Sequence, residues 1–224
     1  MIDRQLLLKA LVRFVAGVVL VGLLVFVPAG TIRYPGGILL MGCLFLPMLV
    51  AGVVLLVCSP DLLRRRLSAR EEQEEQRAVV AASGLLFVAA FVVAGLSFRF
   101  GWLTTPGSVQ HGAAIVFLFG YTLYAEVMRE NVYLSRTVEV QDGQRVIDTG
   151  LYGVVRHPMY LATLLMFLAM PLMLGSLASF ALMLLYVPII VARIRNEEKV
   201  LAQGLAGYRE YQRRVRWRLV PLIW

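Results

Sequence analysis

Long apolar runs alternate with short polar segments along the whole chain. The runs lack the strict apolar and polar alternation of exposed strands, and helices of about 20 residues cross a hydrocarbon core of roughly 30 Å. The pattern therefore predicts an all-α integral membrane protein with five to six transmembrane helices. The predicted spans are Leu7–Ala29, Gly37–Cys58, Val79–Phe98, Gly112–Met128, Met159–Leu174 and Leu177–Ile194.

Two features of this pattern concern the ends of the chain. The first run resembles a signal peptide, but it contains Arg13 and ends without a small-x-small cleavage site, so we interpret it as a retained anchor. The last two runs are joined only by the short turn "LGSL" and predict a helical hairpin. A basic tail follows the hairpin and predicts an amphipathic C-terminal helix on the cytoplasmic side.

Composition strengthens the membrane assignment. The 224 residues are 59% hydrophobic and only 16% charged, with a mean hydropathy of +0.76. Soluble domains contain roughly 45–50% apolar residues. The bilayer is therefore the first expected partner of this protein.

The basic residues set the expected orientation. If the spans alternate, only Arg33 and Arg99 fall on one side of the membrane. The other side receives Arg4, Lys9, Arg64, Arg65, Arg66, Arg70, Arg77, Arg129, Arg136, Arg145, Arg156 and the tail from Arg193 onward. By the positive-inside rule both termini and the long loops are cytoplasmic, as expected for a protein of a bacterial inner (plasma) membrane. The net charge of +8 is explained by the basic residues on the cytoplasmic side, which are attracted to anionic lipid. We therefore exclude nucleic acid as a partner.

The chain divides into two unequal parts. Residues 1–105 predict a transmembrane scaffold, and their loop "SPDLLRRRLSAREEQEEQR" predicts a helix with many ion pairs. Residues 106–224 predict a cofactor-binding core with a cytoplasmic tail. Within this core, "RTVEV" and "QRVID" predict two short strands around the turn at Asp142 and Gly143. No CxxC, HExxH or His/Cys cluster occurs, so we expect no metal.

The stretch "GLYGVVRHPMYLAT" opens the hairpin and carries the first candidate residues. Proline suits the first helical position, so Pro158 predicts the helix start and His157 its cap. Free amides at that helix end, beside Arg156, favour an anionic group. Tyr152 and Tyr160 offer aromatic faces to an adenine or a sulfonium cation. The alternative is a basic membrane anchor with interfacial tyrosines.

A second polar cluster lies where the hairpin returns. Arg193, Arg195, Glu197 and Glu198 follow the last apolar run, and the tight turn brings them back to the level of His157. A glutamate here would accept hydrogen bonds from a cofactor's ammonium or ribose hydroxyls. The alternative is surface ion pairing at i,i+3 and i,i+4 spacing.

The tail is the third piece. Tyr208, Tyr211 and Val215 fall on one helical face, and arginines fall largely on another. Such a helix either lies on anionic lipid or closes over a site as a lid.

Together these pieces resemble the isoprenylcysteine carboxyl methyltransferase family, taken broadly to include phospholipid N-methyltransferase relatives. The matching elements are "VIDTGLYGVVRHPMYL", "RIRNEEKVL" and "YREYQRRV", preceded by Glu130 and Asn131. The resemblance implies a helical membrane fold that binds S-adenosylmethionine beside the hairpin. The chain has no G-x-G-x-x-G after a strand, which agrees with a site of another kind.

The resemblance also implies residue roles. It assigns cofactor binding to Gly150, Tyr152, His157, Pro158, Tyr160, Glu197, Glu198 and Tyr208. Arg156 and Arg214 are the candidates for orienting a substrate carboxylate, and Glu198 for accepting a proton from an amine. Leu151, where the family often has proline, and Ala162, where it often has glycine, depart from the pattern.

The acceptor implied is a lipophilic small molecule, lipid-like or prenylated, methylated preferably on a carboxylate and alternatively on nitrogen. A carboxylate is ionised at neutral pH and needs no strong base. Two other functions stay open. Membrane sterol reductases carry a similar Arg-His-Pro-Tyr element and use NADPH, and a non-catalytic membrane interaction module is the third reading. The sequence sets no oligomeric state.

Overall fold

The computed structural model describes residues 3–68, 74–134 and 140–224, and every regular element in these ranges is helical. The helices are α1 (Arg4–Ala29), α2 (Pro35–Cys58), α3 (Pro60–Ser68), α4 (Glu74–Phe100), α5 (Gly107–Glu130), α6 (Pro158–Met173), α7 (Leu177–Met183), α8 (Tyr186–Gly204) and α9 (Tyr208–Arg214). A short 3₁₀ turn spans Gly150–Gly153. The predicted all-α membrane fold is confirmed.

Five helical segments are long and apolar enough to cross a membrane: Arg4–Ala29, Pro35–Cys58, Val79–Phe100, Gly107–Glu130 and Leu177–Gly204. The fifth predicted span, Met159–Leu174, corresponds to α6, which has only 16 residues and is shorter than these five segments. The hydrocarbon core offers no partners for backbone N–H and C=O groups, which is why these runs form helices.

The last span is interrupted between α7 and α8. Pro188 has no amide hydrogen for the carbonyl of Leu184, and the amide of Val187 bonds to that carbonyl instead, at 3.1 Å. Beyond the interruption α8 continues to Gly204, ten residues past the predicted end at Ile194. The extra turns place Glu197 and Glu198 on a rigid helix.

Two loop predictions meet different outcomes. Part of the charged loop is helical, as α3, where Arg64 pairs with Asp61 at 2.6 Å and Asp3 at 2.9 Å; residues 69–73 lie outside the described ranges. The strand predicted at residues 144–148 was wrong, because this segment has no strand structure and packs Val146 against the tail. Its predicted partner, residues 136–140, lies almost entirely outside the described part.

Small residues let the helices approach closely. A Cβ atom added to Gly120 on α5 would lie 2.6 Å from Met166 and 3.1 Å from the carbonyl oxygen of Ala162 on α6. One added to Gly95 on α4 would lie 2.8 Å from the backbone oxygen of Val25 on α1. Without a hydrophobic driving force between helices in lipid, such close packing supplies much of their association.

Hydrogen bonds hold the hairpin turn between α6 and α7 in place. This turn lies at the end of the bundle opposite to the start of α6. The hydroxyl of Ser176 donates to Ser97 at 2.8 Å, and the amide of Thr105 bonds to the carbonyl of Gly175 at 3.0 Å. The phenol of Tyr34 donates to the carbonyl of Leu174. These bonds fix the direction of α6, and hence the place of its first turn at the opposite end.

The substitution Gly95→Leu tests the α1 to α4 contact. The added side chain collides with the backbone of α1, and we expect a loss of roughly 1–3 kcal/mol of stability. Thermal unfolding of the purified protein in detergent measures this as a lower Tm. The matched control is Gly84→Leu on the same helix, where an added Cβ meets no atom within 4 Å. Equal Tm values for the two variants would contradict this packing.

Candidate functional site

The first turn of α6 and the loop before it form one side of the site. Pro158 occupies the first helical position, with His157 as the N-cap residue, as predicted. The preceding 3₁₀ turn begins at Gly150, whose φ of +54° is unfavourable for other residues. A Cβ atom there would lie 3.4 Å from the carboxyl carbon of Glu130, which accepts a hydrogen bond from Thr149. This turn delivers Tyr152 to the interior.

The carboxylate of Glu198, on α8, joins three chain segments. One oxygen accepts from Nε of Arg156 at 2.7 Å and lies 3.2 Å from Nε2 of His157. The other oxygen accepts from Nε of Arg218 at 2.8 Å. Arg156, His157 and Glu198 are all buried. The cluster therefore ties the start of α6, the end of α8 and the C-terminal segment together.

Hydrogen bonds to backbone carbonyls complete this connection to the C-terminal segment. Nη1 of Arg156 donates to the carbonyls of Val215 and Arg216, at 2.7 and 2.9 Å. The backbone amides of Arg156 and His157 bond to the carbonyls of Trp217 and Arg218. The segment after α9 is therefore held by hydrogen bonds against the loop that precedes α6.

The tail helix turns its apolar face to the protein. Tyr208, Tyr211 and Val215 are each 4% exposed and pack with Leu205 and Val146. The hydroxyl of Tyr211 donates to the backbone oxygen of Tyr152 at 2.8 Å. Of the two readings of the tail, this packing favours a cover over the site.

A cavity lies between the start of α6, the end of α8, the loop at residues 144–147 and α9. The cavity is narrow, with a volume of about 90 Å³. Glu197 lines it and accepts a hydrogen bond from the hydroxyl of Tyr160 at 2.5 Å, and Nε of Arg193 donates to that same hydroxyl at 3.0 Å.

The hydroxyl of Tyr208 stands out among the groups lining this cavity. It is buried and has no hydrogen-bond partner among the described residues. Buried polar groups nearly always have a partner, and an unmet one costs roughly 1–3 kcal/mol. Burial raises the pKa of this phenol, and the charges of Glu198 and Glu197 raise it further, so it remains a hydrogen-bond donor. A water molecule or a ligand in the cavity can supply the partner.

Most predicted site residues meet here, and some do not. The cavity is lined by Tyr152, Arg156, His157, Tyr160, Glu197 and Tyr208. Gly150 and Pro158 shape its backbone, and Glu198 lies behind it, held by its three donors. Arg214 is largely exposed and pairs with Asp148, and neither of these two residues lines the cavity.

Sequence reasoning missed several lining residues. The side-chain amide of Asn131 donates to the hydroxyl of Tyr152 at 2.9 Å, and Tyr133 and Arg145 also line the cavity. Asn131 is one of the residues that match the family pattern, and this match could have indicated its place in the site. Arg218 lies in the tail without a helical register to indicate its direction, and only the folded structure brings it to Glu198.

The family resemblance predicted from the sequence is confirmed by two comparisons with known proteins. Residues 109–206 match the family described as phospholipid methyltransferase. The structure is similar to that of a eukaryotic intramembrane Ras methyltransferase, isoprenylcysteine carboxyl methyltransferase, with a TM-score of 0.59 and 17% identity. That likeness covers 96% of this chain and 77% of the other, and at this identity it shows the fold.

A curated relative comes from another enzyme class. Over 91 residues the chain is 32% identical to a Delta(14)-sterol reductase of Mus musculus. The match covers 39% of this chain and 22% of the reductase, so the chain spans only about a fifth of that relative's length.

Removal of the Glu198 carboxylate should destabilise the fold. Glu198→Ala leaves Arg156 buried without its counter-charge, which typically costs about 3–5 kcal/mol. Chemical or thermal unfolding in detergent measures the loss. The control is Glu210→Ala in the exposed part of α9, for which we expect a change within about 0.5 kcal/mol. Equal stability of the two variants would show that the cluster does not hold the site together.

Proposed function

We propose that this protein is an S-adenosylmethionine-dependent methyltransferase of the cytoplasmic membrane surface that acts on a lipid-like or prenylated acceptor. The observation that carries the proposal is the buried hydroxyl of Tyr208, which has no partner in the part of the chain that the structure describes, in a cavity shared with Glu197 and His157. The family match over residues 109–206 supports methyl transfer as the reaction.

The lining residues fit the cofactor chemically. The carboxylate of Glu197 suits an ammonium group or ribose hydroxyls, and the phenol of Tyr208 suits an acceptor atom. The faces of Tyr152 and Tyr208 suit an adenine ring or a sulfonium cation. Arg145 offers a counter-charge for a carboxylate. This donor and acceptor set matches a zwitterionic nucleoside.

When bound, the cofactor supplies an activated methyl group on a charged sulfur that leaves readily. The residues of the chain therefore have to position two reactants in line and exclude water, more than supply a strong base. Arg156 lines the cavity and is the candidate to orient an acceptor carboxylate, although Glu198 and two carbonyls already hold it. Arg214 keeps the same predicted role through motion of its exposed side chain.

We assign to Glu198 mainly the role of positioning Arg156 and His157. Both of its oxygens already accept hydrogen bonds, and it is absent from the cavity lining. An acceptor whose group is already ionised, such as a carboxylate, needs no proton acceptor. This arrangement supports carboxyl O-methylation as the preferred reaction and N-methylation as the alternative, in which water or Glu198 takes the proton.

The orientation is part of the proposal. The first residues of α1, the last of α2 and α5, and the first of α6 lie at the end of the bundle that holds the cavity, and most of the basic residues belong to this end. The positive-inside rule makes this end cytoplasmic, where the cofactor is available.

A reductase is the second candidate, because the sterol reductase match is above 30% identity over 91 residues. Titration of the purified protein with S-adenosylhomocysteine and with NADPH separates the two. We expect binding of S-adenosylhomocysteine and none of NADPH, with weaker binding in His157→Ala and Glu197→Gln. Binding of NADPH alone would replace the proposal with a reductase, and binding of neither would favour a non-catalytic module.

The substitution Tyr208→Phe tests the observation that carries the proposal. Since the hydroxyl has no partner among residues 3–68, 74–134 and 140–224, its removal should leave the Tm unchanged or raised. It should weaken S-adenosylhomocysteine binding about two- to tenfold, the equivalent of a net hydrogen bond of roughly 0.5–1.5 kcal/mol. The control is Tyr211→Phe, which removes a bond to the Tyr152 carbonyl. That variant should lower the Tm. Calorimetric titration that finds unchanged affinity in Tyr208→Phe would remove this hydroxyl from the site.

A further inference from the structure

Residues 218–224 fold into a closed turn, here called the C-terminal turn. The carbonyl of Trp224 accepts hydrogen bonds from the three backbone amides of residues 218–220, at 3.0, 2.9 and 3.2 Å. The amide of Trp224 in turn donates to the carbonyl of Val220 at 3.1 Å. These bonds close the backbone on itself and leave residues 221–223 as a protruding tip.

The tip presents two large apolar side chains to its surroundings. Leu222 is 84% exposed and Ile223 is 78% exposed. The backbone of Leu222 has a φ of +68°, in a region that large side chains rarely adopt. In water both the exposure and the strained backbone are unfavourable, whereas an apolar medium stabilises the exposed side chains. The shape of the tip therefore fits a lipid environment.

The opposite face of the C-terminal turn packs on the membrane-spanning helices. Leu219 is buried in the apolar cluster that contains Leu86 of α4, and Val220 and Trp224 pack against the same cluster. Leu86 lies seven residues inside the span Val79–Phe100, a depth of about 10 Å at 1.5 Å per residue. Because the inner face of the turn packs on residues of the bilayer-spanning bundle, its exposed tip faces the lipid of the adjoining leaflet.

The charges beside the tip fit the same partner. Residues 209–218 contain five arginines and a single acidic residue, Glu210. Anionic lipid surfaces attract basic segments of this kind, and membrane-surface anchors combine them with apolar side chains. Tryptophan, present here as Trp217 and Trp224, is enriched at the boundary between membrane and water. The chemistry of the tip and its neighbours therefore indicates an anionic leaflet.

The side chain of Arg218 connects this turn with the cavity. Its guanidinium lies over the ring of Trp224, 5.3 Å from the centroid, and its Nε donates to Glu198 at 2.8 Å. The carbonyl of Arg218 accepts from the backbone amide of His157, also at 2.8 Å. A displacement of the turn from the membrane would therefore shift the groups that hold the cavity wall.

We propose that the C-terminal turn is a membrane anchor. Its tip, Leu222 and Ile223, inserts into the leaflet beside the cavity, and the lipid thereby keeps the tail in place as the cavity wall. The partner is an anionic lipid surface, held by apolar contact at the tip and by the arginines beside it. This inference goes beyond the proposed function, because it concerns how the bilayer orders the site and does not depend on the reaction.

Depth-dependent fluorescence quenching tests the insertion. The purified protein carries Cys43→Ala and Cys58→Ser, which remove its native thiols, and one new cysteine at Ile223→Cys or Ala206→Cys. Ala206 is the control, exposed in the loop between α8 and α9. Each cysteine is labelled with a nitrobenzoxadiazole dye in nanodiscs of phosphatidylcholine and phosphatidylglycerol. We expect lipids spin-labelled near the head of the acyl chain to quench the dye at position 223, and dissolved iodide to quench the dye at position 206.

Amide exchange tests the link between the tip and the cavity. Leu222→Asn removes the apolar side chain, and asparagine adopts a positive φ more readily than leucine. The matched control is Leu103→Asn, at an exposed leucine with a φ of +44° at the opposite end of the bundle. In the same nanodiscs, hydrogen–deuterium exchange at residues 156–157 and 215–220 should be about tenfold faster in Leu222→Asn and unchanged in Leu103→Asn.

Four results would overturn the proposal. Quenching of both dyes by iodide would show that the tip lies in water. Protection of the dye at position 223 from both quenchers, in an oligomer, would assign the tip to a second copy of the chain. Equal exchange rates in the two variants would remove the link to the cavity, and equally faster exchange within α5 would mean general unfolding. None of these measurements uses S-adenosylhomocysteine, so a failure of the proposed function is seen separately.

Discussion

The carboxylate of Glu198 is the interaction on which the arrangement of the site depends. It lies buried at the edge of the bundle and receives Arg156, His157 and Arg218 from two other segments. A buried charge is costly unless it is paired and hydrogen-bonded, and here both oxygens have donors. Because the partners come from the loop before α6 and from the C-terminal segment, satisfying this one carboxylate brings three distant parts of the chain together.

The geometry around Glu198 explains how a bundle of apolar helices can carry a polar site. The residue before a proline avoids the helical conformation, so the chain directly before Pro158 is not helical and its amides need other partners. The C-terminal segment supplies them, because the amides of Arg156 and His157 donate to the carbonyls of Trp217 and Arg218. The tail is thereby fixed as a wall, and its two buried tyrosines close the cavity without forming part of the membrane bundle.

The site lies at one end of the membrane bundle. The polar cavity lies beyond the first turn of α6, and the matched family segment at residues 109–206 provides much of its lining.

Much of this could be predicted from the sequence, and the failures have identifiable causes. The spans, the helix start at Pro158 and the convergence of His157 with the glutamate pair follow from local rules and from the tightness of the hairpin turn. The strand at residues 144–148 was predicted from alternating side chains, but alternation also occurs in an extended segment that packs one face on a tail. Asn131 and Arg218 were missed because each follows the end of a helix, α5 and α9, where no helical register indicates the direction of the side chain.

The sequence by itself determined the helical membrane bundle, because in hydrocarbon a backbone can satisfy its hydrogen bonds only internally, and long apolar runs leave it no other structure. Only the tertiary structure decided between neighbouring residues of the same type. Glu197 and Glu198 are adjacent on α8, and successive residues of a helix point about 100° apart at 3.6 residues per turn. One faces the cavity and the other the arginines, and which is which depends on how α8 is rotated against α6 and the tail.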